Sequence, residues 1–171
     1  MNKIVKAIKT GFIPFCAGLA LIGLSIISCN RTSKESPNVL LKDYGAEPTV
    51  LDIEAYTKSN DNFRVALWTG TNLQVTLMSI PVGGDVGLEV HHDVDQFLRI
   101  EDGTAKVLMG DAKHSLTFTQ TVGKDFAIFV PAGKWHNLIN TGNKPLKLYS
   151  IYSPVEHPHS TVHRTQEDDV H

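Results

Sequence analysis

The sequence predicts an all-β domain, either a jelly roll or a barrel, over residues 49–155. From about residue 50 onward, apolar and polar residues alternate with a period of two, which is the pattern of half-buried strands. Turn sequences rich in Gly, Asn, Asp and Pro separate these runs about every eight to twelve residues, a spacing typical of β-sandwiches and barrels. Past residue 29, no long stretch has the periodicity of an amphipathic helix. Together these observations favour many short strands in one domain.

Residues 1–28 are typical of a secretory signal that is removed from the mature protein. Three lysines and no acidic residue lead into an uncharged apolar stretch. That stretch is short for a membrane-spanning helix, which needs roughly 20 residues. Its end, from Ile26 to Cys29, resembles the lipobox of bacterial lipoproteins. The resemblance implies cleavage before Cys29, a diacylglycerol on its thiol and an acylated amino terminus, and several acyl chains give stable membrane anchoring.

Cysteine usage agrees with this prediction. Cys16 lies in the segment to be removed, so Cys29 is the only cysteine left and has no intramolecular disulfide partner. Asn30 follows it instead of the aspartate associated with retention in the inner membrane, which favours the outer membrane. We therefore expect a lipid-anchored protein on the periplasmic or cell-surface side. An uncleaved membrane anchor and plain secretion are the alternatives.

Residues 29–48 are predicted to be a lipidated cysteine followed by a flexible tether. Ser, Pro, Asn and charged residues are mixed there with little periodicity, as is common in linkers. Docking of the short apolar run 39–41 on the domain is the alternative.

Nine segments of the domain are predicted to be strands, and residues 53–60 to form one or two helical turns. The predicted strands are Phe63–Trp68, Leu73–Ile80, Gly87–His92, Gln96–Ile100, Ala105–Met109, Ser115–Thr121, Phe126–Val130, Trp135–Asn140 and Leu146–Tyr152. Between them lie turn sequences such as TGTN, PVGGD, PAGK and TGNKP. This order of strands and turns favours a β-barrel with no internal repeat.

Strand alternation predicts which side chains enter the barrel, because successive side chains point to opposite faces. Gln96 shares an inward face with two aliphatic residues. Arg99 and Glu101 lie on the opposite face, which we expect to be solvated. Glu89 and His91 share one face of their predicted strand, and His136 can reach them from a partner strand.

Four polar side chains can therefore meet inside the barrel: Glu89, His91, Gln96 and His136. Imidazole, carboxylate and amide oxygen form a plausible shell for a divalent metal ion such as Zn²⁺, Fe²⁺, Mn²⁺ or Ni²⁺. An open coordination position would leave room for water or substrate. The alternative is a metal-free polar cluster that is hydrogen-bonded within the barrel.

The segment GDVGLEVHHDVDQFLRIEDG, residues 84–103, resembles the first motif of the cupin superfamily. Alignment of Gly103 with the last glycine of that motif places Gln96 at the glutamate position, His91 at the second histidine and Glu89 at the first. Two of the four usual ligand positions are therefore changed, although both replacements can still coordinate through oxygen.

The segment PAGKWHNLIN is similar to the second cupin motif, with Pro131, Gly133, His136 and Asn140 at its defining positions. The resemblance covers roughly residues 63–152. It implies a cupin-type jelly-roll barrel with the divalent metal at Glu89, His91, Gln96 and His136, and it suggests a homodimer.

The resemblance spans isomerases, dioxygenases, decarboxylases and non-catalytic binding proteins, so several functions stay open. The first hypothesis is a metal-dependent enzyme, isomerase-like or dioxygenase-like, acting on a small molecule. A sugar phosphate is disfavoured as the substrate, because the motif region lacks a cluster of Lys and Arg that could neutralise the phosphate. The second is a non-catalytic module that binds a small molecule or metal at the cell envelope, and the third a structural envelope protein. With a formal net charge of −2, no electrostatic footprint for nucleic acid is present.

Other polar residues are assigned lesser roles. We expect His92 and Asp93 to lie on the outer face or rim, and Asp95 to be either a turn residue or a ligand's hydrogen-bond partner. The C-terminal residues 156–171 are predicted to be a polar, His-rich tail that partly crosses the barrel mouth, with adventitious metal binding as the alternative. Its histidines are His157, His159, His163 and His171.

Overall fold

A computed structural model describes residues 39–169, which fold as a jelly roll of two antiparallel β-sheets. The predicted signal segment 1–28, Cys29, residues 30–38 of the predicted tether and His171 lie outside the described residues. Among residues 39–169, no helix is both long and apolar enough to cross a membrane.

The described part of the chain contains one α-helix, nine strands and a 3₁₀ turn. In chain order they are α1 (Ile53–Ser59), β1 (Arg64–Thr69), β2 (Gln74–Ile80), β3 (Asp95–Asp102), β4 (Thr104–Gly110), β5 (Phe118–Gly123), β6 (Ala127–Val130), β7 (Trp135–Asn140), β8 (Leu146–Ser153), β9 (Val162–His163) and the 3₁₀ turn Gln166–Asp168. Helix α1 begins where the Asp52 carboxylate accepts a hydrogen bond from the backbone N–H of Ala55. The predicted all-β fold is confirmed.

The strands form two sheets with the core between them. The large sheet has the order β6-β3-β8-β2-β1-β9, and the small sheet has the order β5-β4-β7. Ile100 and Leu148 from the large sheet belong to the same buried cluster as Val107 and Leu138 from the small sheet. Full burial of one such side chain stabilises the fold by roughly 1.5–3 kcal/mol, so this apolar layer holds the two sheets together.

One predicted strand is wrong. Residues 87–92 do not form a strand; the chain between β2 and β3 is irregular and contacts β7 through isolated bridges at Asp85 and Glu89. Gly83 and Gly87 have positive φ angles of 76° and 91°, a backbone conformation that interrupts the regular pleat of a strand. Period-two alternation was therefore a poor guide to this segment.

The predicted solvated face of β3 also needs a correction. Glu101 is only 1% exposed, although its ion pair with Arg99 keeps it on the face that was predicted to be solvated. Burial raises the pKa of Glu101, an effect that the neighbouring Arg99 opposes. The two side chains are 2.7 Å apart, from Nη1 of Arg99 to Oε1 of Glu101.

Both segments that flank the predicted barrel contact it. The Asp43 carboxylate, which is fully buried, accepts hydrogen bonds from Thr69 Oγ1 at 2.6 Å and from the backbone N–H of Ser160 at 3.0 Å. Within residues 39–48, the described end of the predicted tether is thus bound to the domain. On the C-terminal side, β9 adds to the large sheet beside β1, so residues 156–169 are an integral part of the fold.

Candidate metal centre

Three of the four predicted ligands lie together inside the barrel. One potential ligand atom from each of Glu89, His91 and His136 lies within 4.8 Å of the other two. Oε1 of Glu89 is 3.2 Å from Nε2 of His136 and 3.4 Å from Nε2 of His91. All three side chains are buried or nearly so. The cluster brings residues from the irregular β2–β3 connection together with one residue of β7.

Backbone hydrogen bonds fix the two parts of the cluster against each other. Glu89 and His136 exchange both of their backbone hydrogen bonds, at 3.1 and 2.9 Å. The N–H of Gly133 donates to the carbonyl of His91 at 2.7 Å, and Gly133 has a φ of 79°, which glycine adopts without a steric penalty. The two predicted motifs therefore lie beside each other because of main-chain contacts that do not depend on the ligand side chains.

The hydrogen-bond partners of the two imidazoles determine which nitrogen faces the centre. Nδ1 of His136 is 3.0 Å from the backbone carbonyl of Lys134, and Nδ1 of His91 is 3.0 Å from Oε1 of Glu156. A carbonyl and an ionised carboxylate only accept hydrogen bonds, so each Nδ1 carries its hydrogen and donates. In neutral imidazoles, both Nε2 atoms then present lone pairs to the carboxylate of Glu89.

The lone pairs on both Nε2 atoms face those on Oε1 of Glu89 at 3.2–3.4 Å. They repel the lone pairs of that oxygen unless a positive charge lies between them. Burial raises the pKa of Glu89, but hydrogen bonds and charge from His136 and His91 outweigh burial and hold that pKa well below its usual range. Burial lowers the pKa of His91, whereas Glu89 and Glu156 raise it, and the net shift is upward. The cluster thus attracts positive charge, supplied either by protons on the imidazoles or by a metal ion.

The donor atoms fit a divalent metal ion in spacing and in chemistry. Ligands placed about 2.0–2.1 Å from an ion in tetrahedral geometry lie about 3.3 Å from one another, close to the 3.2 and 3.4 Å separations found here. Nε2 of His91 is buried and has no hydrogen-bond partner of good geometry. Imidazole ligands that donate Nδ1–H to a carboxylate or carbonyl are the usual arrangement around bound metals.

Gln96, the fourth predicted ligand, lies on β3 and is buried as expected. Its Nε2 donates to Ser150 Oγ at 3.1 Å, and its Oε1 is buried without a hydrogen-bond partner. On the neighbouring strand it pairs with Tyr152, whose ring lies 5.8 Å from the ring of His91. Gln96 therefore has a buried acceptor oxygen without a hydrogen-bond partner, and its coordination of a metal stays a prediction.

The space beside the cluster is small and apolar. A cavity of about 10 Å³ lies next to His136, which is room for about one water molecule. Its other side chains are those of Leu98, Val107, Met109, Ile128, Val130, Asn137 and Leu138. A larger groove of about 440 Å³ lies between β5 and β6 and shares Val107, Met109 and Ile128 with the small cavity. These three side chains separate the groove from the histidine.

The remaining predicted polar residues lie away from the cluster. His92 and Asp93 are exposed, as expected. Asp95 accepts a hydrogen bond from the backbone of Ala132 at 2.9 Å and so supports the turn before β7. Asn140 donates to three backbone carbonyls, which gives it a structural role.

The histidines of the predicted tail have separate positions. His157 is buried, and the centroid of its ring lies 5.1 Å from the centroid of the Tyr152 ring. His163 lies in β9 with Nδ1 3.1 Å from Asp169. His159 is largely exposed. Sequence reasoning missed Glu156 and Tyr152 near the cluster, and no spacing pattern in the sequence links either residue to His91.

Comparison with known proteins agrees with this architecture. The sequence profile of the cupin domain matches residues 76–152. The uncharacterized protein YrkC of Bacillus subtilis (strain 168) is 59% identical over 140 residues, which is 82% of this chain and 75% of YrkC. The uncharacterized protein L612 of Acanthamoeba polyphaga mimivirus is 42% identical over 113 residues, or 64% of this chain and 67% of L612.

Comparison with solved structures also finds this fold. The crystal structure of BH2720 from Bacillus halodurans is 57% identical in sequence and superposes with a TM-score of 0.74, over 74% of this chain and 96% of BH2720. TT1209 from Thermus thermophilus shares the fold at 18% identity, with a TM-score of 0.53 over 61% of this chain and 96% of TT1209. With both predicted motifs assembled inside a jelly roll, the chain belongs to the cupin family.

Proposed function

We propose that this protein binds one divalent metal ion at Glu89, His91 and His136 and is a metal-dependent enzyme acting on a small molecule. The observation that carries the proposal is the convergence of three donor atoms within 4.8 Å, with each histidine Nδ1 already committed to an acceptor. Two imidazoles and one carboxylate are the ligand set of non-haem Fe²⁺ oxygenases, and such ligands also suit Zn²⁺, Mn²⁺ and Ni²⁺. Gln96 would complete or adjust the set through Oε1.

Oxygenase chemistry is the form of this proposal that the ligand set supports. Fe²⁺ held by two imidazoles and one carboxylate would supply the activation of dioxygen. The cavity of about 10 Å³ beside His136, which neither Glu89 nor His91 lines, has room for about one water molecule and not for a sugar. The residues of the chain would hold the ion, fix the two imidazoles and keep bulk water away with apolar walls. Approach of an organic substrate from the groove between β5 and β6 would require displacement of Val107, Met109 and Ile128, which lie between the groove and His136.

A second candidate is a non-catalytic module that binds a metal or a small ligand at the cell envelope. The observation that favours it is the pairing of Glu156, the carboxylate beside the centre, with His91. A carboxylate held in this way orients the imidazole, a role that needs no chemical step. The two candidates differ in whether an exchangeable coordination position exists on the bound ion.

Elemental analysis of the full-length protein, purified without chelator or after anaerobic loading with Fe²⁺, is expected to give about one ion per chain, as for a single site. Nitric oxide, a probe with the size of dioxygen, is then added to the Fe²⁺-loaded protein, and the electron paramagnetic resonance spectrum is measured. An iron–nitrosyl signal is expected because the three protein ligands leave positions open.

The two steps of this experiment separate the candidates. Bound iron without a nitrosyl signal would contradict the oxygenase and favour the binding module. Absence of bound Fe²⁺, Zn²⁺, Mn²⁺ and Ni²⁺ after loading would reject the metal site itself.

We also propose that Cys29 is lipidated and anchors the protein to a membrane, most simply the outer membrane; the support is the order of charge, apolar run and small residue before it. Cys29→Ser is expected to move the protein from the membrane fraction to the soluble fraction, or to block its maturation, because the acylated thiol is lost. Cell fractionation and intact mass provide the measurement. Cys16→Ser, in the segment to be removed, is the control and should leave mass and fractionation unchanged. Unaltered membrane partition and mass in Cys29→Ser would refute lipidation there.

A further inference from the structure

The segment after β8, residues 154–169, is fixed on the large sheet next to the metal centre. His157 and Gln74 form a reciprocal pair, in which the backbone N–H of His157 donates to Oε1 of Gln74 at 2.9 Å and Nε2 of Gln74 donates to the His157 carbonyl at 2.8 Å. Both residues are buried. Further along, the segment pairs with β1 through Val162 and His163. The residue directly before this double anchor, Glu156, therefore has a defined position.

Glu156 reaches the centre through His91. Its Oε1 lies 3.0 Å from Nδ1 of His91, and its side chain is 23% exposed whereas that of His91 is 7% exposed. The ring of His91 also lies against the rings of Tyr152 and His136, at centroid distances of 5.8 and 5.5 Å. The rings confine the plane of the imidazole, and the carboxylate determines which nitrogen carries the hydrogen.

The two histidines of the centre differ in which group accepts the hydrogen of Nδ1. Nδ1 of His136 is held by the carbonyl of Lys134, two residues earlier in the chain. Nδ1 of His91 is held by the side chain of Glu156, which is far from it in the chain. Substitution of a side chain cannot remove the first acceptor, but it can remove the second.

We propose that Glu156 is a positioning residue of the metal centre, which directs Nε2 of His91 toward the ion, and that residues 154–169 are consequently part of the site. This inference rests on the proposed metal binding. A bound ion and a docked segment stabilise each other, because an ion that prefers the oriented His91 must by linkage favour the state in which Glu156 is in place. The segment thus contributes to metal affinity without supplying a ligand.

The test compares Zn²⁺ affinity, by competition with a chromophoric chelator, in full-length wild-type protein and in Glu156→Ala, Glu156→Gln and Glu167→Gln. Loss of an outer partner of a metal-bound histidine typically costs about 10–100-fold in affinity, so Glu156→Ala is expected to fall in that range. Glu156→Gln keeps an oxygen that can accept the hydrogen bond from Nδ1 of His91, so its Zn²⁺ affinity should fall by less. Glu167 is exposed on the same segment, so Glu167→Gln makes a matched charge change and should bind like wild type.

A spectroscopic readout separates positioning from general destabilisation. At saturating Co²⁺, the visible absorption bands of Glu156→Ala should differ from those of wild type, since the geometry of the bound imidazole changes. If Glu156→Ala does not fold, the Zn²⁺ affinity and Co²⁺ spectrum of Glu156→Gln are compared with those of Glu167→Gln instead. Equal affinities and spectra in the Glu156 variants and wild type would overturn the positioning role alone. A wild-type protein that binds no metal would overturn this inference together with the proposed function.

Discussion

Replacement of His136 by alanine is expected to abolish stoichiometric metal binding while the jelly roll stays folded. The substitution removes one of three donor atoms that lie within 4.8 Å of one another, and the other two cannot surround an ion alone. We expect the affinity to fall by more than the roughly 100-fold that loss of an outer partner costs. Strand β7 should persist because its ladder with β4 and its contact with Glu89 use backbone groups. Elemental analysis and far-ultraviolet circular dichroism measure the two outcomes.

His92 provides the matched control for this experiment. It directly follows His91 in the chain but is exposed on the outside of the domain. His92→Ala should therefore bind the same amount of metal as wild type. One ion per chain retained in folded His136→Ala would show that the metal lies elsewhere.

Replacement of Asp169 by asparagine is expected to lower the free energy of unfolding by about 3–5 kcal/mol, the typical cost of leaving a buried charge without its counter-ion. Arg64 is 1% exposed, and its Nη1 donates to Oδ2 of Asp169, which is itself nearly buried. Burial lowers the pKa of Arg64, but Tyr152 and Asp169 together with Glu89 outweigh burial and raise that pKa. The guanidinium stays charged, so the substitution leaves it buried beside a weaker partner. Urea unfolding at neutral pH measures the change.

Two further variants make this prediction specific to the ion pair. Glu167→Gln removes an exposed charge two residues away and should change stability by less than about 0.5 kcal/mol. The double variant Arg64→Met with Asp169→Asn should recover part of the loss, because no uncompensated charge remains in the interior. A cost below about 1 kcal/mol for Asp169→Asn, the range typical of exposed pairs, would mean that solvent reaches Arg64.

The sequence was a good guide wherever one strand face is buried along its whole length. Alternation correctly placed Gln96, Leu98 and Ile100 inside the barrel, where all three are buried. Turn residues correctly separated the strands, and the second motif led to His136. These features are local, since each depends on residues that are close in the chain.

Prediction was less accurate where the backbone leaves the regular pleat. Glu89 and His91 do meet at the cluster, but not as members of a strand; Gly83 and Gly87 bend the chain there, and an isolated bridge to His136 places Glu89. Glu101 is buried while it pairs with Arg99 on the predicted outer face. Such burial depends on how the domain packs, and a two-residue pattern does not predict it.

Contacts between distant parts of the chain were beyond sequence reasoning altogether. The support of His91 by Glu156, and of Arg64 by Asp169, joins residues that are far apart in the chain. No spacing rule pairs such residues. The C-terminal segment has a polar composition, which suggests a solvated tail, whereas its histidines and acids fill specific positions on the large sheet.

The strand order has a consequence for how a nascent chain matures. Strand β8 lies between β3 and β2 in the large sheet, yet it is the last long strand to be synthesised. Hairpins β1–β2 and β4–β5 can form early, but β2 and β3 each keep one bare edge until residues 146–153 have emerged. Unpaired edges are templates for aggregation, and long-range pairing of this kind is slow. A chain interrupted before residue 146 would therefore be an aggregation-prone fragment in which β1, β2 and β3 each have an unpaired edge, and not a smaller barrel.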